Sequence, residues 1–246
     1  MNPRSIIYID GFNFYYGMVK DTPYKWLDMR KFFHLLRMHD KIVHIDYFTA
    51  MIIGPRTKNQ ETYIRALRTL PEVTITFGKF MTKRIECKVR DCNYSGERWF
   101  ETAEEKGTDV NIALQMVSDC YDNLCDYLVL VTGDSDLVPA IEAIKTHFRQ
   151  KKVIVYIPAF GERKKWRYSS SLANAADRLR FLPDQLLPPS QFPSTFSDTD
   201  GNPITKPTDW QRTPPLPPSP SDRTGPTGAR SRNPGRSALP VQAPRL

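Results

Sequence analysis

Tyr127–Val138 reads YLVLVTGDSDLV. Five apolar residues run without alternation up to Thr132 and Gly133, as a strand buried on both faces of a parallel sheet requires. Two aspartates, Asp134 and Asp136, follow at once. Either they start the helix that begins near Leu137, or they stand together because a cation sits between them.

The elements on either side place this strand. SIIYI (Ser5–Ile9) is a second unbroken apolar run and predicts another buried strand. Asp28 is positioned to cap a helix through MRKFFHLLRM, with Phe32, Leu35 and Leu36 on one face. KIVHIDYFTAM reads as a strand, Asn59–Leu70 as a helix stopped by Pro71, and VTITFGKFM as a third strand. Thr82–Phe100 is basic and shows no period. From Thr108 a helix is predicted with Val110, Ala113, Leu114 and Val117 on its apolar face; YLVLV is then the fourth strand. Leu137–Phe148 reads as a helix, KVIVYI as a fifth strand and Ser171–Arg178 as a last helix. Strands alternating with helices imply an α/β fold with a mostly parallel sheet and right-handed crossovers.

Composition divides the chain. Fifteen of the 21 prolines lie in Pro183–Leu246, where few apolar residues are left to offset the entropy of ordering. The expected organisation is one domain over 1–182 and a disordered proline-rich tail over 183–246. Net charge is +8, and the first 182 residues hold 28 lysines and arginines against 22 aspartates and glutamates. A cationic surface attracts polyanions, which makes nucleic acid a natural partner, although many basic proteins bind none. MNPRSIIYID carries only a short apolar run that ends in an acid, and no run reaches membrane-spanning length. The expectation is a soluble, cytoplasmic protein with mostly reduced cysteines.

In open α/β sheets, ligands bind beyond the carboxyl ends of the strands, where strand order reverses. DGFN after the first strand brings Asp10 and Asn13 to that edge; TGDSD after the fourth brings Asp134 and Asp136. Asp109, at the start of the helix leading into the fourth strand, can face the same place. Taken singly, each has a plain structural role as a cap or turn residue. Together they crowd like charges, which raises carboxyl pKa values and destabilises the fold unless a cation screens them. Oxygen-only clusters suit Mg²⁺ or Mn²⁺, which bind substrate phosphates and activate water. No glycine-rich phosphate loop followed by Lys-Ser/Thr is present, so nucleoside triphosphate hydrolysis fits poorly.

YIDGFNFYYG, EEKGTDVNIALQMV and LVLVTGDSDLVPAI, in this order, resemble the NYN domain family of PIN-like nucleases, and SLANAADRLRFL resembles its end. The resemblance covers about Ser5 to Leu182. It implies a Rossmann-like α/β/α sandwich and metal-dependent cleavage of RNA, with acidic positions at Asp10, Asp109, Asp134 and Asp136 and a polar position at Asn13.

Other features carry two readings each. Asn13 either holds a metal-bound water or the scissile phosphate, or stabilises the turn after Gly11. Thr132 and Ser135 can reach phosphate oxygens, but such hydroxyls usually satisfy backbone groups. GERKKWRY places Arg163, Lys164, Lys165 and Arg167 around Trp166 and Tyr168, the combination that binds single-stranded RNA, or else a solvated loop. Lys79, Lys83, Arg84, Lys88 and Arg90 form a weaker basic stretch. Asp177 is expected to be structural, and Glu104 and Glu105 to be a solvated charge run. Cys87, Cys92, Cys120 and Cys125 would form a structural Zn²⁺ site only if the irregular stretch folds toward the later helix; burial as small apolar residues is the plainer reading. PPLPPSP is a polyproline II segment of the type that docks on SH3-like or WW-like domains, or a spacer.

Two other functions compete with a ribonuclease. A haloacid-dehalogenase-like phosphatase needs Asp-x-Asp after the first strand, where this chain has DGFN. A non-catalytic RNA-binding or scaffolding module would keep the cleft without cutting.

Overall fold

The computed structural model describes residues 2–89, 94–165 and 167–211. In chain order, β1 (Arg4–Asp10) leads into α1 (Gly11–Phe14), which continues as a π-helical turn over Tyr15–Val19. Then come α2 (Met29–Leu36), β2 (Lys41–Thr49), α3 (Thr57–Arg68), β3 (Val73–Phe77), β4 (Lys79–Glu86) and β5 (Trp99–Lys106). The second half holds α4 (Thr108–Tyr121), β6 (Tyr127–Val131), α5 (Val138–His147), β7 (Lys152–Ile157), α6 (Ser170–Ala175) and β8 (Arg178–Phe181). Six of these strands form one sheet in the order β3-β2-β1-β6-β7-β8, every neighbour parallel.

The two-residue period of an extended chain builds three layers. Along β1, Ile7 and Ile9 enter one apolar core while Ile6 and Tyr8 enter the other; along β6, Val129 and Val131 part from Leu128 and Leu130 in the same way. The first core is covered by α1, α2 and α3, and the second by α4, α5 and α6. Truncating a fully buried side chain such as Ile7 to alanine costs about 2–5 kcal/mol. The α/β/α sandwich with a mostly parallel sheet is thus the observed fold. The chain reverses direction between β1 and β6, which places their carboxyl ends side by side. Among the described residues, no helix is long and apolar enough to cross a membrane.

Several sequence readings need correction. Helix α4 buries Ile112, Met116 and Cys120, whereas Val110 and Leu114 are 61% and 65% exposed. Both stripes are apolar, so periodicity alone could not choose the one that meets the sheet. VTITFGKFM is two strands: β3 ends at Phe77, and after Gly78 the chain turns into the antiparallel β4–β5 hairpin, paired from Lys79↔Lys106 to Glu86↔Trp99. A Cβ on Gly78 would lie 2.9 Å from the backbone oxygen of Lys106, so the close approach at the base of the hairpin favours a glycine. Its charged faces hid it from a search for alternating apolar residues. The helix expected over Ser171–Arg178 ends at Ala175, and Arg178–Phe181 is an edge strand too short to show a period.

The tail expectation is overturned for residues 183–211. Leu187, Phe192 and Ile204 are buried in the first core. The Trp26 ring is the anchor: Phe192, Phe196 and Trp210 lie with centroids 5.6, 6.3 and 6.1 Å from it, and its indole N–H donates to Pro193 O at 2.8 Å. Five well-spaced apolar side chains offset the entropy that the prolines were expected to leave unmatched. PPLPPSP lies outside the described residues, as does the rest of 212–246.

Cys120 and Cys125 are buried in the second core, and burial pushes their thiols up to about 11 and about 12, the opposite of what a thiolate ligand needs. Among the described residues, no cysteine joins a group able to hold a metal. Cys92 lies outside the described residues. Cys120 and Cys125 thus take the plainer reading, as small apolar residues of the core. Asp177 accepts from Val153 N at 2.9 Å and pairs with Lys152, far from the acidic edge, a structural role as expected.

Candidate functional site

Strand β1 delivers Asp10 to the carboxyl edge, and the local chain turns it into a cap for α1: Asn13 N donates to Asp10 Oδ1 at 2.9 Å. The other oxygen, Oδ2, accepts from Asn13 Nδ2 at 2.6 Å and from the Thr132 hydroxyl at 3.0 Å. Thr132 also accepts from Asp134 N at 3.0 Å. One buried hydroxyl therefore ties the end of β1 to the turn after β6. Asp10 is 4% exposed, and burial pushes its pKa up while the three donors pull it down.

After β6, Asp134 accepts from Asp136 N at 3.0 Å and caps the 3₁₀ turn Ser135–Leu137, so the capping reading of this residue is true as well. Capping uses Oδ1 of Asp134. Gly107, at φ +92°, lets the chain swing from β5 into α4 and puts Asp109 in the first turn of that helix. Asp109, Asp134 and Asp136 each bring an oxygen within 4.8 Å of the others, the one such group among the described residues. Asp10 lies outside that trio, yet of the neighbouring charges it pushes hardest on Asp109. Burial, then Asp10, then Asp134, push the Asp109 carboxyl up to about 6.

The donor set fits a hard divalent cation: carboxylate oxygen only, crowded enough to hold a proton near neutrality, at the strand-order reversal. Glu105, read from sequence as a solvated charge, stands beside this group. Its Oε1 accepts from Thr108 N at 3.1 Å, and its charge adds to the upward push on Asp109. A carboxylate one turn ahead of a helix start was the signal for it, and the neighbouring Glu104, which pairs with Lys106 and Lys83, masked it.

The basic segment divides. Arg163 donates to the carbonyls of Gly17 and Lys20, at 3.2 and 2.7 Å, and so braces the π-helical turn. Lys164 pairs with Asp184 at 2.9 Å, and Lys165 pairs with Glu162. These three cations therefore each have a partner within the protein. Trp166 lies outside the described residues. Arg167 does reach the site: its Nη1 is 3.5 Å from Asn13 Oδ1. Burial and Arg163 lower its pKa, and Asp10 opposes them. Thr132, fully buried, acts on Asp10 rather than on a ligand, whereas Ser135 is exposed at the mouth of the turn. A cavity lined by Tyr127, Lys152, Ile154, Asp177 and Arg178 opens at the opposite edge of the sheet, where those strands begin, and has no part in this constellation.

The chain is similar to the 6-hydroxy-3-succinoylpyridine 3-monooxygenase HspA of Pseudomonas putida (strain DSM 28022 / S16), at 33% identity over 195 residues, covering 65% of this chain and 61% of that protein. It thus spans about three fifths of that relative's length. A crystal structure of a protein of unknown function from Vibrio parahaemolyticus RIMD 2210633, VPA0982, superposes with a TM-score of 0.46 at 20% identity, over 74% of this chain and 94% of that one. Residues 4–183 match the NYN domain, and the chain belongs to that family.

Proposed function

We propose that this protein is a divalent-metal-dependent ribonuclease that hydrolyses RNA phosphodiesters endonucleolytically at the carboxyl edge of its sheet. The observation that carries the reading is the trio Asp109, Asp134 and Asp136, whose oxygens converge within 4.8 Å on an edge already charged by Asp10. Bound there, Mg²⁺ or Mn²⁺ would supply Lewis-acid charge and a water of lowered pKa.

The chain's own groups supply the rest. Asn13 and Thr132 fix the Asp10 carboxylate through three hydrogen bonds, and Asp10 then acts as a fixed negative charge behind the trio. Arg167, half-buried and without a carboxylate within salt-bridge distance among the described residues, is the cation placed to hold a phosphate oxygen as charge develops on it. Ser135, exposed on the 3₁₀ turn between Asp134 and Asp136, is a further polar group at this edge.

The test is incubation of a mixed RNA pool with Mg²⁺ or Mn²⁺ and mapping of the cut ends. Internal cuts by the unmutated protein and none by Asp134→Asn are expected, because asparagine caps as well as aspartate and only ligation is lost. Equal cleavage by both would return Asp134 to its capping role. RNA binding with no cuts at any metal concentration would favour a non-catalytic RNA-binding module. Consumption of 6-hydroxy-3-succinoylpyridine with oxygen and a reductant, and none of RNA, would favour the chemistry in the relative's name.

A further inference from the structure

We propose that the β4–β5 hairpin and the start of α1 form an aromatic track that stacks the unpaired bases of an RNA strand whose phosphate lies at the acidic trio. The inference rests on the ribonuclease reading and states how that site would choose single-stranded substrate.

Side chains alternate along a strand, so one face of the hairpin carries Phe80 and Arg84 with Trp99 across from them. Phe80 meets Phe12 edge-on, with centroids 5.6 Å apart and planes at 84°. Phe12 stacks in turn against Tyr16 at 6.5 Å and 22°. Phe12 sits between Asp10 and Asn13 in sequence, so the track begins at the site itself. A cation stands at each end: the Arg84 guanidinium is 3.8 Å over the Trp99 ring, and the Lys20 ammonium is 4.8 Å over Tyr16.

None of these four rings belongs to either apolar core, and Tyr16 is 36% exposed. Partly exposed rings that contribute to neither core, flanked by a cation at each end and running up to a carboxylate cluster, match what a single strand asks of a protein: faces for bases and charge for phosphates. Bases in a duplex have no free faces to offer, so the track discriminates against paired RNA. An apolar protein segment would gain little from the cations at either end.

The experiment uses the full chain carrying Asp109→Asn to suppress cleavage. Three labelled ligands are compared by fluorescence anisotropy in Mg²⁺: a short single-stranded RNA, an abasic strand of equal length, and the duplex. The single strand should bind at least about fivefold tighter than the abasic strand, the lower limit for one stacked base. Phe80→Ala should bring that ratio toward one while leaving abasic binding unchanged. Equal affinity for the base-bearing and abasic strands overturns the proposal without recourse to any hairpin variant, and so does an undiminished ratio in Phe80→Ala. Base discrimination without metal-dependent cleavage by the unmutated protein would retain the track and overturn the ribonuclease reading. Cleavage without discrimination would do the reverse.

Discussion

Asn13 holds Asp10 from two directions, its backbone N–H 2.9 Å from Oδ1 and its side-chain amide 2.6 Å from Oδ2. Its own Oδ1 accepts from Gly133 N at 3.3 Å and faces Arg167. The residue is thus the joint between the ends of β1 and β6. Asn13→Asp removes one donor and sets a new carboxylate against Asp10. We expect a loss of roughly 1–3 kcal/mol in metal-free buffer, read from urea midpoints. Added Mg²⁺ should restore more stability to this variant than to the parent. Unchanged midpoints would mean that the amide is an ordinary turn residue.

Asp109 makes stability depend on pH. Its folded pKa, about 6, lies above its ordinary value of 3.8, so the folded state resists ionising it. The sign follows: its contribution is fully present below about pH 4 and is lost as pH rises through about 6. In metal-free buffer the parent should lose on the order of 1–2 kcal/mol over this window, after allowance for solvent screening of a half-buried group. Asp109→Asn should flatten that slope. Thermal melts of both proteins from pH 4 to 7 check this, and parallel curves would count against it.

Arg167→Lys keeps a positive charge but loses the planar fork that grips phosphate. RNA cleavage should fall about tenfold or more in kcat, with little change in melting temperature. By contrast, Lys164→Ala and Lys165→Ala should leave kcat within about twofold, since each lysine is paired with a carboxylate outside the acidic trio, Asp184 or Glu162, and such surface pairs contribute little. A loss of cleavage in the lysine variants equal to that in Arg167→Lys would reinstate the whole basic segment as a substrate surface.

The C-terminal extension belongs to the fold. A chain ending at Leu182 uncovers Trp26, which is fully buried, and removes Leu187, Phe192 and Ile204 from the core. It should be destabilised by several kcal/mol, at about 1.5–3 kcal/mol for each large apolar side chain lost. A chain ending at Gln211 should melt with the full-length protein. Limited proteolysis that stops near Leu182 rather than near Gln211 would refute this boundary.

Continuous apolar runs such as SIIYI and YLVLV are enough to specify parallel strands, because only a strand covered on both faces can bury every residue in the run. The strand-end rule then brought Asp10, Asn13, Asp134 and Asp136 to one edge from sequence position alone. Asp109 joined them from its place at the start of the helix that leads into the fourth strand, and the family motifs marked the same positions. The tertiary structure decided what local pattern leaves open. Which apolar stripe of α4 faces the sheet depends on its packing partners, since Val110 and Leu114 are as apolar as Ile112 and Met116. Whether Pro183–Gln211 orders depends on a surface 167 residues before Pro193 in sequence, the Trp26 ring, which no local composition reports. Whether Arg163 or Arg167 serves the cleft depends on which carbonyls and carboxylates stand within about 3 Å, and charge alone in GERKKWRY carries no such information.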